Sequence, residues 1–396
     1  MHSIKLIFSA LILLVVSACA STSEKQASTT TQQVANQKAP PSPTLASFCS
    51  DLENIPKNSD SDFIISHFDI QKFTDNIFTG INGKTKYFTD FKKNMLVSIN
   101  SAPATLADIL NNGQWKAIRY KENGNTARCM LRSYSTSTGI LIIELHLYKK
   151  NNKIHISNWH DHIKNILTSE FVREIALDFK KIDDVIYSGL AKQDTPAIVN
   201  FKKLMHFANS ASNNDQKASI EEFSALPPVY KNNPVYGLRM LAASKNSGDK
   251  LYIKAYQVFY RQFKNNKKFD LLYLDYFILL KEYDKALKTI TDSEKRIGPD
   301  ASLSLIKAYL YLKKGDRKKF YAMSLESINR DIAYENIYWV LFNEFIQQQQ
   351  FKDAALVLDI MAKVFSYSFT RSRFETDPSY SEFIKTSHFN NWIDSL

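Results

Sequence analysis

The stretch Lys281-Glu282-Tyr283-Asp284-Lys285-Ala286-Leu287 decides how the second half of the chain is read. A turn-forming pair stands ahead of a small residue, and the arrangement returns at a fixed distance. In windows starting at Lys267, Ala301 and Glu335, each 34 residues after the last, the same columns recur. Glu282-Tyr283, Asp316-Arg317 and Gln350-Phe351 occupy the turn, and Ala286, Phe320 and Ala354 come four residues after the first of each pair. Tyr273, Lys307 and Leu341, and then Phe277, Tyr311 and Phe345, fall on the helices before the turns. A period of this kind describes stacked helix pairs. A small residue lets two helices approach closely, while large rings fill the groove to the next pair.

These residues resemble the turn and second-helix start of a tetratricopeptide repeat. Ala308 with Gly315-Asp316 supports a second copy, and Phe351-Lys352-Asp353-Ala354-Ala355 a third. Phe320 stands where alanine is expected, and Leu274 and Phe342 where a small residue is usual, so the repeats are divergent. The resemblance implies that each first helix exposes one face. Asp275, Tyr309 and Asn343 form one column of that face, and Lys268, Ser302 and Asn336 another. A mixed polar and aromatic line of this kind suits a peptide or a helix better than a small molecule. Upstream, residues 236–245 and 251–263 read as another hairpin, and 198–210 with 216–225 as a first one. Asp377-Pro378, Phe383, Phe389 and Trp392 read as a cap over the last apolar face. Residues 183–396 are therefore expected to form an all-α solenoid. The alternative use of such an array is as a spacer, or as packing for its own N-terminal domain.

Residues 47–182 read as an α+β domain. Phe63, Ile64, Phe68, Phe73, Ile77 and Phe78 recur at helical intervals, as do Phe88, Phe91, Met95, Leu96 and Ile99. Pro103 predicts a break before a third helix over 105–111. The period then changes to two. Strand-like runs cover 115–120, 126–134, 140–148 and 153–160, with Asn123-Gly124 as the first turn. This is an antiparallel meander. Within it Leu141, Ile143, Leu145 and Leu147 share one face, and Glu144 and His146 lie on the other with Ile140, Ile142 and Tyr148. Helices followed by an antiparallel sheet resemble the cystatin-like cone shared by nuclear transport factor and ketosteroid isomerase, on element order alone. The whole layout resembles uncharacterised bacterial proteins that join a small α+β domain to tetratricopeptide-like helices.

The start of the chain has the order of an export signal: Lys5, an apolar run over 6–16, then Ser17 and Ala18. The run is shorter than the roughly 20 residues a membrane span needs. Val16-Ser17-Ala18-Cys19 resembles the lipobox of bacterial lipoproteins. That resemblance implies removal of residues 1–18, acylation of the Cys19 thiol and attachment to a membrane. An ordinary cleaved secretion signal is the alternative. Ala20 stands where an inner-membrane retention signal usually has Asp, which implies the outer membrane of a Gram-negative envelope, facing periplasm or cell surface. Residues 19–46 then form the anchor and a tether rich in Ser, Thr, Gln, Ala and Pro, without apolar periodicity.

Composition sets the remaining bounds. Net charge is +11 over 396 residues, and on the exported side its expected acidic partners are lipid head groups, lipopolysaccharide or anionic wall polymers, not nucleic acid. Lys and Arg are scattered along the chain, so a generally solvated basic surface also accounts for them. Only 10 glycines, none in a phosphate-cradling pattern, argue against nucleotide loops. With Cys19 assigned to lipid, Cys49 and Cys129 form either one disulfide or two separate buried thiols. Glu144 and His146, with Arg128 or Arg132 on the neighbouring strand, are candidates for general acid–base work, against the alternative of a solvated sheet face. His155, His160 and His162 are candidate metal ligands, against the alternative of exposed histidines on a loop. No Gly-x-Ser-x-Gly, His-Glu-x-x-His or Cys-x-x-Cys pattern accompanies them, and no cofactor is expected. The expectation is a lipid-anchored envelope protein binding a protein or peptide partner through its repeats. The alternative is an envelope enzyme or small-ligand-binding protein with a pocket in the α+β domain.

Overall fold

Thr44 opens the first helix, α1 (Leu45–Asp51), by accepting a hydrogen bond from Ser47 N–H while the Ser47 side chain caps the Thr44 backbone in return. The computed structural model describes residues 44–54, 61–111, 115–135, 139–189, 195–213, 215–245 and 248–396. Cys19 and the signal and tether residues before Thr44 lie outside them. The single helical run expected near 63–78 is two helices, α2 (Asp62–His67) and α3 (Ile70–Phe78). Phe68 is extended between them and bridges to Ile156, and Asp69 then caps α3 by accepting from Lys72 N–H at 2.8 Å. After α4 (Lys86–Ile99), α5 (Ala102–Asn111) contains Pro103 in its first turn instead of starting beyond it. A proline is tolerated there because that N–H has no helical partner to lose.

The sheet is an antiparallel meander in sequence order: β1 (Trp115–Asn123), β2 (Thr126–Ser135), β3 (Gly139–Lys150), β4 (Lys153–Asp161) and a short β5 (Ile166–Leu167). Gly124 takes a left-handed φ of 58° in the first turn, and Asn151 and Asn152 do so at 51° and 58° in the turn between β3 and β4. Two successive left-handed residues match the right-handed twist of the strands they join. One face of the sheet, with Cys129, Leu131, Ile143, Leu145, Leu147, Ile156 and Trp159, packs into the core. Phe73 of α3 stacks on Trp159 with centroids 5.6 Å apart, and Phe91 of α4 on Phe179 at 3.8 Å. The sulfur atoms of Cys49 and Cys129 meet at bonding distance, tying α1 to β2 across 80 residues with the Cα atoms 5.8 Å apart.

The 20-residue helix α6 (Thr168–Tyr187) runs through position 182/183. Five helices follow it: α7 (Pro196–Ser212), α8 (Gln216–Ser224), α9 (Pro228–Lys231), α10 (Pro234–Ser244) and α11 (Asp249–Phe263). They belong to the same compact unit as the sheet, a unit that ends at Tyr276. Ala208 and Val235 join the core beneath the sheet, and Asp178 of α6 accepts from the Tyr236 hydroxyl at 2.7 Å.

A second unit spans Phe277–Leu396, with the division falling inside α12 (Leu274–Leu279). Here the 34-residue spacing is written into the backbone: Lys281, Gly315 and Gln349 all have left-handed φ, at 58°, 78° and 56°. Around them Glu282 N–H donates to Phe277 O at 2.8 Å, Asp316 to Tyr311 at 2.9 Å and Gln350 to Phe345 at 2.8 Å. After the three turns come α13 (Tyr283–Ile297), α15 (Arg317–Arg330) and α17 (Phe351–Phe365). The helices α14 (Ala301–Lys313) and α16 (Asn336–Gln347) precede the last two turns and pack on α15 and α17 respectively. Ala286, Phe320 and Ala354 are fully buried at equivalent points. The chain ends in α18 (Arg371–Glu375) and α19 (Ser387–Ile393), whose neighbourhood of Phe374, Tyr380 and Phe383 closes over Phe342. The large ring at 342 is thus buried beneath the C-terminal helices.

Candidate functional site

Strand register brings the polar residues of the sheet together. Glu144 on β3 is paired with Met130 on one side and His160 on the other, and His146 with Arg128 and Asn158. Paired residues point to the same face, so Arg128, Glu144, His146 and His160 all project away from the core. Glu144 Oε1 accepts from Arg128 Nη1 at 3.0 Å and lies 3.3 Å from His146 Nε2. Its Oε2 is 3.8 Å from His162 Nε2. The His162 ring stacks on His160 at 4.5 Å, and His160 Nε2 is 2.9 Å from Asn165 Oδ1. The face is solvated only in part: Ile142, Met130, Arg132, Glu144 and His162 are buried, while His146 is half-buried and Arg128 exposed.

Burial by itself pushes the Glu144 carboxyl up, but the His146 and His162 imidazoles beside it and the hydrogen-bonded Arg128 guanidinium outweigh it and hold the group well below the usual carboxylate range. Burial and the neighbouring His162 push His160 down to about 4. The arrangement is a carboxylate held in its ionised form near neutral pH, flanked by a guanidinium and imidazoles. Glu144 can orient an imidazole or a cationic ligand group, but it cannot donate a proton near neutral pH.

The three candidate metal ligands are not brought together. His160 and His162 share a side, as their spacing implies, but His155 sits at the other end of β4, stacked on Tyr148 at 5.1 Å. Five residues of extended strand put it about 16 Å from His160. Among the described residues no group of three or more His, Cys, Asp or Glu side chains converges to hold a metal ion.

On the helical repeats, one of the two expected columns is exposed. Tyr309 on α14 is 39% exposed, with Lys313 Nζ 5.1 Å from its ring centroid, and Asn343 on α16 is exposed at the equivalent point. Asp275, in the first unit, is exposed as well. The other column fails at its centre. Ser302 is 0% exposed, because its N–H and hydroxyl both turn to the Asp300 carboxylate that caps α14. Lys268 is exposed on a turn after α11, and Asn336 is half-buried. Phe277 is buried, while Phe345 is half-buried and stacks on Tyr321 at 5.9 Å. Nothing in the periodicity marks Glu344, which is buried and holds Arg317 Nε at 3.0 Å across two successive helices, α15 and α16. Also unmarked is a row of cations along α11, visible only when its residues are placed on a helical wheel.

Among the described residues no helix is long and apolar enough to cross a membrane. No protein-family model matches the sequence, no curated protein matches it, and no solved structure matches its fold.

Proposed function

We propose that this chain is an exported lipoprotein, acylated at Cys19, whose tetratricopeptide-like repeats bind a protein or peptide partner in the cell envelope. One observation carries the reading: Tyr309 and Asn343 are exposed at the same point of successive hairpins whose 34-residue period is set by left-handed residues at 315 and 349. A ring with 39% of its surface open and an exposed amide at the equivalent point of the next hairpin offer what an extended or helical segment needs, apolar contact plus hydrogen-bonding orientation. Capture of envelope proteins on the wild-type chain and on Tyr309→Ala tests the proposal. A partner held by wild type should be weakened by about 1–3 kcal/mol in the variant if the ring is a central anchor. Retention of every partner at full strength would remove the groove as the working surface.

The convergence of Arg128, His146 and His162 on Glu144 favours a second reading, in which the sheet face binds a small ligand as a cystatin-like cone would. A ligand whose binding is lost in Glu144→Gln but kept in Tyr309→Ala would move the function there.

A further inference from the structure

Helix α11 has two unlike sides. Ala255, Tyr256, Phe259 and Phe263 are buried against the rest of the unit. On the opposite side Lys250, Lys254, Arg261 and Lys264, the residue that caps the helix, fall within about 80° of the circumference at 100° per residue. All four are exposed. At 1.5 Å per residue they make a straight row about 21 Å long. Lys267 and Lys268 extend it on the following turn, beside an open hollow that they line with Gln262, Asn265 and Asn266. After Asp249 at its start, α11 has no acidic residue.

The row also lacks counter-charges. Lys288, Lys295, Lys363 and Lys385 are by contrast each laced to a carboxylate one turn away, at Asp292, Asp359 and Glu382. Among the described residues none of the six cations between 250 and 268 has an ion-pair partner. Six unneutralised charges along one edge hold a positive potential that screening confines to roughly a Debye length, about 8–10 Å. The target must therefore come to the row, and it must be flat and densely anionic to meet so straight a line. No fully open aromatic ring is interleaved for base stacking: Tyr256, Phe259 and Phe263 are buried, and the half-buried Tyr252 and Tyr260 are packed on Tyr256 and on Tyr273 and Tyr276. Since that apolar side is already buried in protein, the helix cannot sink into a bilayer as a free amphipathic helix does.

We infer that the Lys250–Lys268 edge docks on an anionic lipid surface, by electrostatic contact with headgroup phosphates and without insertion. Such a contact orients the body at the membrane and adds to whatever anchorage the N-terminus supplies. It does not depend on the groove binding a partner.

The test uses the full chain on vesicles of phosphatidylcholine alone and with about a third phosphatidylglycerol, read by co-sedimentation. An acyl chain or apolar leader partitions into both vesicle types, so the readout is the ratio of the two affinities. Each basic residue near an anionic surface contributes about a fivefold factor. Replacing Lys250, Lys254, Arg261 and Lys264 with Gln should cut the ratio by at least about tenfold, and salt at roughly 0.5 M should erase it in wild type. The control removes the same four charges elsewhere, as Lys288→Gln, Lys295→Gln, Lys363→Gln and Lys385→Gln, and should leave the ratio within about twofold. Equal affinity for both vesicle types at low salt would overturn the proposal, as would equal losses in the two variants. So would binding of duplex DNA as tight as that of anionic vesicles at matched phosphate, which would make the row a general polyanion site.

Discussion

Replacing Phe342 with Ala tests the packing that ends the repeat array. The side chain is fully buried, with ring centroids of Tyr380 at 5.5 Å, Phe383 at 6.0 Å, Trp339 at 6.1 Å and Phe374 at 6.4 Å. Three of those four rings come from the segment after α17, so Phe342 is a central contact through which the cap closes the last hairpin, alongside Phe351 on Phe383 at 5.8 Å. Truncation takes away about 150–200 Å² of apolar burial, which at about 25 cal/mol per Å² is about 4–5 kcal/mol. Substitutions of this type cost about 3–5 kcal/mol in practice. Hydrogen exchange read by mass spectrometry on peptides covering 336–396 is the assay, because it localises the loss. A change of 4 kcal/mol should speed exchange there by roughly a thousandfold when reclosing outpaces chemical exchange. Tyr309→Ala, which removes an exposed ring, should change exchange over 301–330 by less than about tenfold. If Phe342→Ala has the small effect and Tyr309→Ala the large one, the register of the hairpins is wrong.

Cys19→Ala should abolish lipid labelling and processing of the precursor, and normal labelling of that variant would remove the acylation site. Freshly isolated protein, denatured without reductant, should show no titratable thiol at Cys49 or Cys129; the double serine variant should lose about 4 kcal/mol in urea if the chain-entropy account of an 80-residue loop holds. Arg317→Ala leaves the buried Glu344 carboxylate unpaired and should cost about 1–3 kcal/mol, the low end reflecting the exposure of the arginine, with Glu344→Gln in the same chain recovering part of it. His160 is held down to about 4, so the unfolded chain binds its proton first as pH falls below about 6.5. Its contribution is therefore complete above pH 6.5 and is lost between there and 4. Urea midpoints measured across that window should fall less steeply in His160→Gln, and identical slopes would refute the assignment.

The repeat was legible because it is periodic in more than one property. Ala286 and Ala354 announce close helix contact, and Gly315 announces the left-handed turn residue that Lys281 and Gln349 supply without a glycine. The strands were legible from their alternation, and so was the pairing of Cys49 with Cys129 as one of two possibilities. Contextual features were hidden. Ser302 looks like a surface polar residue until Asp300 is seen to take its hydrogen bonds as a helix cap. Pro103 looks like a breaker, yet it occupies the one turn of α5 that tolerates it. The burial of Glu144 could not be inferred from alternation, which separates the two faces of a sheet without saying which is covered. The helices from 196 to 263 read as the start of the solenoid; that Ala208 and Val235 share the core beneath the sheet, and that these helices fall in one compact unit with it, is a matter of packing partners that no period reports.

The measurement that bears most directly on the central claim is photocrosslinking in intact cells, with a photoreactive phenylalanine analogue placed singly at Tyr309, Asn343 and Leu325. Tyr309 and Asn343 occupy equivalent points on first helices, whereas Leu325, 59% exposed, lies on the second helix α15. An interaction scaffold that works through its first helices should yield the same crosslinked envelope protein from positions 309 and 343 and not from 325. Equal crosslinking from all three positions, or from 325 alone, would contradict it.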